Sequence, residues 1–450
     1  MHTPIYIILL LALAIVAIII LSTRLRFNTF FTLLIVAIAV GFAAGFEGEK
    51  VILLLKKGMG ATLEKVGLLI ILGTTLGLLL EKSKATLSLA NYILSKTDEK
   101  NTPLVVTFMG FLIGLPIFCD SGFIVLIGLV LSLASRVKGK QVLLVSCLAV
   151  SLYAVHCLVP PHPGISAAAG ILKVDLGQAM LLGIVVSIPT TLAAYFWVKY
   201  RSRNLPDFNF KNEKFNFNTE PASSSDRGVL PSPLLSFLPI IVPIALIATK
   251  SIALLNPSFL HPSVLTLIKF IGEPVSALGV GILLSLFLFK TVKKETINNL
   301  LGAAIEKSGP ILAIIAMGGA FGEIIKEMNI GKVFGESLTS SGLGLLIPFI
   351  LTALFKTAQG SSTVAIMSAA SIIEPLLMPL GLDSEWWRLL SLAAMGAGSM
   401  SVSHANDAYF WVTANFGEMD TRTTLRVYSS ASALMGIIAF LTIWLISKAF

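Results

Sequence analysis

Charge is what this chain has least of. Asp, Glu, Lys and Arg make up 13% of its 450 residues, roughly half the ~25% of a soluble domain. The deficit runs the whole length, because apolar stretches recur from Pro4 to Ala449 and 55% of the residues are hydrophobic. Mean hydropathy is +0.89. This excludes a soluble enzyme and a receptor with a single anchor, and leaves a polytopic α-helical membrane protein. Cysteine is scarce too. Cys119, Cys147 and Cys157 lie inside apolar stretches without CxxC spacing, so neither a disulfide framework nor a Cys-based metal site is expected. No GxxxxGK[ST] pattern surrounds Gly139-Lys140 or Gly331-Lys332, which removes ATP-driven pumping by this chain alone. HExxH, GxSxG and an Arg-rich voltage-sensor helix are also missing, so a metalloprotease, a serine hydrolase and a voltage sensor have no support. No catalytic residue, metal ligand or cofactor is expected.

What is there is a series of spans. A crossing helix needs about 20 apolar residues. Candidates are 4–22, 27–46, 66–81, 142–159, 179–199, 234–255, 275–289, 310–325, 389–411 and 427–447. Two more stretches, 103–135 and 343–378, break near their middles at Cys119-Asp120-Ser121-Gly122 and at Gln359-Gly360-Ser361-Ser362. Each is either two crossing helices or a re-entrant hairpin. The segment 201–233 is polar, with Arg201, Arg203, Asp207, Lys211, Asp226 and a Ser223-Ser224-Ser225 run, and reads as a linker between two apolar halves.

The halves resemble each other. Glu64-Lys65-x-Gly67 recurs as Glu306-Lys307-x-Gly309, and Gly77-x-x-x-Glu81 as Gly319-x-x-x-Glu323, both at an offset of 242. Two matches in register point to duplication. The expected organisation is N-terminal spans 1–46, repeat 1 over 47–200, a linker 201–233, connecting spans 234–289 and repeat 2 over 290–450. If each broken stretch returns to its own side, twelve Lys and Arg between Arg24 and Arg203 fall on one face, and Lys50, Lys56, Lys57, Lys65 and Lys173 fall toward the other. The richer face is then cytoplasmic. The linker follows it, both termini lie outside and the first span is retained. The net charge of +9 is accounted for by these loops, with no nucleic-acid partner. The amphipathic stretch before each repeat lies outside in the first (47–63) and inside in the second (290–307), so the repeats are inverted. Inverted repeats with broken helices build a mid-membrane substrate site in secondary transporters.

Four polar interruptions carry the chemistry. Asp120 is the only Asp, Glu, Lys or Arg between residues 101 and 135. A carboxylate at membrane depth costs on the order of 3 kcal/mol, so Asp120 is either functional or placed at a water-exposed turn. Pro116, Ser121 and Gly122 suit a turn or a hairpin tip that bares backbone N–H groups. In His156-Cys-Leu-Val-Pro160-Pro161-His162-Pro163-Gly164 the prolines cannot continue a helix. The chain unwinds there, beside a polar cavity inside the membrane or in an interfacial loop. Gln359-Gly360-Ser361-Ser362-Thr363 can offer donors to an anion or oxygens to Na⁺, or can serve as small helix-packing residues. Ser401-Val-Ser403-His404-Ala-Asn406-Asp407 holds the only acid between 389 and 417. His404 and Asp407, three apart, share a helical face, and His titrates near neutral pH, giving a proton relay or a structural pair. Glu81 and Glu323 read as span-end charges, and Trp386-Trp387-Arg388 as an interfacial anchor.

Substrate contacts are expected from Asp120, Ser121, Gly122, His156, His162, Gly164, Gln359, Gly360, Ser361, Ser362, Thr363 and Asn406, and proton coupling from Asp120 first and His404–Asp407 second. A passive channel would need a continuous polar stripe along several spans. Polar residues clustered in four short breaks favour alternating access.

These segments resemble the gluconate permease (GntP) family of the ion transporter superfamily. The resemblance rests on Gly114-Leu-Pro-Ile-Phe-Cys-Asp120-Ser-Gly-Phe-Ile, Val155-His156-Cys-Leu-Val-Pro-Pro-His162-Pro-Gly164, Ala358-Gln-Gly-Ser-Ser-Thr-Val-Ala365 and Gly396-Ala-Gly-Ser-Met-Ser-Val-Ser-His404-Ala-Asn-Asp407, and covers nearly the whole chain. It implies a proton-coupled inner-membrane symporter, in a homodimer, for gluconate or a related sugar acid, hydroxy acid or D-serine-like amino acid. It also implies two inverted repeats with re-entrant hairpins. Many gluconate transporters carry a Phe-Phe-Glu-Val-Gly type sequence where this chain has Phe118-Cys119-Asp120-Ser121-Gly122. The acid is one carbon shorter and Val becomes Ser, where substrate contacts are expected. The rival reading is a sodium-coupled carboxylate transporter.

Overall fold

The computed structural model describes residues 4–23, 25, 27–95, 98, 101–136, 141–203, 205, 230–255, 260–289, 294–328, 344–404 and 407–449. Among them the chain is helical and contains no strand. The first half runs α1 (Pro4–Thr23), α2 (Thr29–Ala43), α3 (Gly48–Lys82), α4 (Ala85–Ser95), α5 (Thr102–Gly114), α6 (Cys119–Arg136), α7 (Gln141–Leu158), α8 (Pro163–Leu172) and α9 (Leu176–Ser202). The second runs α10 (Pro233–Leu255), α11 (Pro262–Ile271), α12 (Pro274–Leu286), α13 (Lys294–Glu327), α14 (Leu346–Gln359), α15 (Ser362–Ile373), α16 (Glu385–Met400) and α17 (Ala408–Phe416), then α18 (Thr421–Ala449).

Five of these helices are long and apolar enough to cross a membrane, and seven if each bent pair counts as one span, among the described residues. The chain is a multi-pass membrane protein. Its rim shows why the sequence is so apolar: Leu13 on α1 is 65% exposed and Leu234 on α10 is 74% exposed. In water such rows would form a sticky patch; in lipid they are the solvated surface. The middle is the reverse. Between Val142 and Leu158 every residue of α7 except His156 is buried, and α16 is buried from Leu389 to Met400.

Among the described residues, the order α13, α14, α15, α16, α17, α18 follows that of α3, α5, α6, α7, α8, α9. Most starts fall near the offset read from the sequence: Cys119 opens α6 and Ser362 opens α15, Gln141 opens α7 and Glu385 opens α16. The equivalent helices α3 and α13 pack along each other. They cross at glycine on both sides, where a Cβ on Gly58 would stand 2.4 Å from the Gly319 carbonyl oxygen. Close backbone approach at small residues is how membrane helices gain packing energy without a hydrophobic drive. Two ion pairs, Lys50–Glu327 and Lys57–Glu323, both at 2.7 Å, tie the same two helices. Glu323, read from the sequence as a span-end charge, thus stands in an ion pair between the two helices.

Three expected boundaries move. The amphipathic stretch 47–63 is continuous with the span after it, in one helix α3 bent by 46° at Glu64–Gly67. The first broken stretch breaks at Leu115–Phe118 rather than at residues 119–122. The expected span 389–411 stops at Met400 and resumes at Ala408. Nearly all of the linker (204 and 206–229), Asn406 and the loop lysines 96, 100, 138, 140, 290 and 293 lie outside the described residues.

Candidate functional site

Each break in a helix has a local cause. Pro116 lacks the N–H that would extend α5, and α6 restarts when Gly122 N–H donates to the Phe118 carbonyl at 2.8 Å. Asp120 therefore stands in the first turn of α6, where the helix dipole favours an acid. Pro160, Pro161 and Pro163 end α7 and open α8. α14 ends because Gly360 takes φ +78°, a left-handed conformation that glycine adopts without strain. Ser361 then caps α15 by accepting Val364 N–H at 3.4 Å. Asp407 caps α17, accepting Tyr409 N–H at 3.0 Å. Neither α5, of 13 residues, nor α14, of 14, is long enough at 1.5 Å per residue to cross ~30 Å of hydrocarbon alone.

The breaks meet around one polar cavity of about 450 Å³. Asp120, His156, Lys307, Gln359, the Ser361–Thr363 tip and Asp407 are on its wall, together with Phe118, Tyr153 and Tyr409. Asp120 and Lys307 are exposed to it. A larger depression beside Phe108 and Leu192 has an almost wholly apolar wall facing outward, which suits lipid tails rather than a polar solute. The volume lies in the range of small-molecule sites. Helices α6, α8, α15 and α17 all begin at this cavity, so four positive helix ends converge on it.

Two cations enter that the sequence reading did not single out. Lys307, on α13, donates to Ser121 Oγ at 3.1 Å and lies 5.4 Å from the centroid of the Phe118 ring. Lys356, on α14, is wholly buried. Its Nζ is 2.5 Å from Asp407 Oδ2 and 2.8 Å from the Gly360 carbonyl oxygen, and 5.6 Å from the centroid of Tyr153. The same Asp407 oxygen accepts a hydrogen bond from the Ser403 hydroxyl, which in turn accepts from Tyr428 at 3.0 Å. Tyr153 stacks on Tyr409 with centroids 5.4 Å apart and bonds Ser362 Oγ at 2.7 Å.

This corrects the pairing of His404 with Asp407. Ser401 to His404 and Asp407 itself are not helical, so a three-residue spacing does not align the two side chains. His404 meets Asp407 through its backbone carbonyl, which accepts Asp407 N–H at 2.8 Å, while the carboxylate is held by Lys356, Ser403 and Tyr409 N–H. His404 is also off the cavity wall. His162 and Gly164 are buried in the α7–α8 joint instead. His162 Nε2 bonds the Gly114 carbonyl at 2.8 Å. Gly164 packs on α15 so closely that a Cβ would stand 2.9 Å from Thr363 Cα. Gly122 packs against Leu152. The residues that do reach the cavity include two with unmet polar atoms: the Gln359 amide and His156 Nδ1 are buried without a hydrogen-bond partner.

Broken helices folded around a polar cavity inside a multi-pass membrane protein define a transporter, not an enzyme. The chain belongs to the GntP permease family, matching it as a GntP family permease over residues 6–449. It is 31% identical over 442 residues to the inner membrane permease YgbN of Escherichia coli (strain K12), covering 96% of each chain. A gluconate permease of Pseudomonas aeruginosa is 29% identical over 449 residues, 98% of each. Among solved structures, the crystal structure of the Alcanivorax borkumensis YdaH transporter matches with a TM-score of 0.61 over 90% of both chains at 17% identity, a likeness of fold.

Proposed function

We propose that this permease imports a small organic acid (a gluconate-like sugar acid, a hydroxy acid or a D-serine-like amino acid) by proton symport across the cell inner membrane. The observation that carries the reading is the pair of unmet polar groups beside an accessible cation. Buried polar atoms are normally hydrogen-bonded, and here the Gln359 amide and His156 Nδ1 are not. Both flank a cavity that also holds Lys307. A carboxylate suits Lys307, Ser121 and the N–H groups at Ser361–Thr363, and hydroxyl groups suit Gln359 and His156. Asp120 is the proton carrier on this reading. Asp407 already has Lys356, so with a substrate anion beside Lys307 the remaining uncompensated charge belongs to Asp120. The same reading places the two repeats in inverted topology with α5–α6 and α14–α15 as re-entrant hairpins, the linker in the cytoplasm and the protein in a homodimer. The paired glycine crossing of α3 and α13 supports the repeats, and with those hairpins the twelve-to-five distribution of basic residues supports a cytoplasmic linker.

Uptake into proteoliposomes tests it, with the outside acidic, Na⁺ absent, and gluconate, glycerate, 3-hydroxybutyrate, lactate and D-serine offered in turn. At least one must accumulate and collapse with the pH gradient. A requirement for Na⁺, or accumulation of none, overturns the reading. For the transported acid, Lys307→Gln removes a charge-assisted hydrogen bond worth about 1.5–3 kcal/mol, so half-saturation should rise roughly 10- to 150-fold. Lys307→Arg should lose much less. Concentration dependence of initial uptake rates measures both.

A further inference from the structure

We propose that the helix break after α14 is a monovalent-cation site that the chain fills with its own lysine. The last carbonyls of a helix have no intrahelical partner and form its negative end. In secondary transporters, such ends and unwound carbonyls hold coupling cations near mid-membrane. Here two oxygen acceptors and an aromatic face surround one cation position. The Gly360 carbonyl and Asp407 Oδ2 converge, the Ser403 hydroxyl sits on that same carboxylate oxygen, and the Tyr153 ring closes one side. Carboxylate, carbonyl and an aromatic face all attract a small cation. The occupant is the Lys356 ammonium, at 2.8 Å from the carbonyl and 2.5 Å from the carboxylate.

The other break uses the same device. The Gly114 carbonyl, which ends α5, faces His162 Nε2 at 2.8 Å. A carbonyl only accepts, so Nε2 carries the hydrogen. Position 356 stands 242 beyond position 114, the offset of the repeats. The nitrogen is thus supplied from α14 itself in the second half and from the Pro-rich joint in the first. At both breaks the carbonyl end of the helix meets a tethered N–H donor rather than an ion from solution.

The inference rests on the transporter reading of the broken helices and deepens it: Na⁺ has no vacant seat beside Asp407, and the coupling ion is left to Asp120. Its test needs no transport. Melting temperature of the purified full-length protein in detergent is measured without substrate in NaCl, KCl and choline chloride at equal ionic strength. The parent should melt at the same temperature in all three. Lys356→Ala should melt lower in choline and regain stability with rising Na⁺, by about 3 °C near saturation. Lys356→Ala/Asp407→Asn, which lacks the carboxylate, should not respond. If the alanine variant does not fold, Lys356→Ser, too short to fill the seat, must show the same Na⁺ response. Equal melting of the lysine variant in Na⁺ and choline overturns the proposal, as does specific Na⁺ stabilisation of the parent. Failure of the transport reading would appear instead as absent uptake by the parent.

Discussion

Asp120→Asn should keep the exchange of substrate across the membrane and lose uphill accumulation. The cavity wall carries two carboxylates, Asp120 and Asp407, and one ammonium, Lys307, with the Lys356 ammonium buried against Asp407. Asp407 and Lys356 neutralise each other at 2.5 Å, so they contribute little net field. Lys307 and Asp120 remain, both open to the cavity. On the proposed symport, an incoming anion takes Lys307 and leaves Asp120 as the surplus negative charge in a low-dielectric site. A proton on Asp120 would remove that surplus, and its release on the cytoplasmic side would couple the two fluxes. Asparagine mimics the protonated acid at all times, so binding survives while the proton cycle stops. With one proton per substrate, a gradient of one pH unit supports roughly tenfold accumulation, because about 1.4 kcal/mol is a factor of ten. The variant should show a ratio near unity in the same proteoliposomes while counterflow with preloaded substrate stays close to the parent. Undiminished accumulation by Asp120→Asn would move the coupling role to the Asp407 network.

The spans were legible as apolar runs because lipid permits little else, and the second break was legible because Gly360 sits where only glycine is comfortable. The first break lay four residues earlier than read. The eye stops at the acid, but the helix stops at Gly114, ahead of Pro116, and an acid is welcome in the first turn of the helix that follows. Lys356 went unread inside a stretch taken as apolar. Its signal was the one that exposed Asp120 and Asp407: it is the only Asp, Glu, Lys or Arg between Glu336 and Glu374. Two lone charges of opposite sign in separate apolar stretches predict a buried pair, since neither is tolerable alone. Lys307 was hidden differently, inside the amphipathic motif Glu306-Lys307, where an exposed charge is ordinary. The Val-Pro-Pro-His-Pro-Gly run was legible as a break, but its division of labour was not. Sequence spacing cannot say that His156 faces the cavity while His162 turns inward to the end of α5, because that depends on how α8 packs against α15.

Asp407→Asn should destabilise the protein and abolish transport, and a compensating second change should separate the two effects. Lys356 is fully buried, and removing its counter-charge leaves an unpaired ammonium in the interior at a cost of about 3–5 kcal/mol. The loss spreads, because Asp407 also receives Ser403, and through it Tyr428, so the joint between α16 and α17 loosens with it. Lys356→Met/Asp407→Asn removes both charges at nearly constant volume. Replacing a buried ion pair by neutral groups is commonly neutral or stabilising, so the double variant should melt at or near the parent temperature in detergent. Transport should nonetheless stay absent. Without the ammonium nothing anchors the Gly360 carbonyl, and the Ser361–Thr363 tip of α15 loses its fixed position on the cavity wall. A double variant as unstable as Asp407→Asn would mean that the two residues stabilise the fold independently. A double variant that transports normally would mean that the pair positions nothing the substrate uses, and would leave Asp120 and Lys307 as the only charges that matter in the cavity.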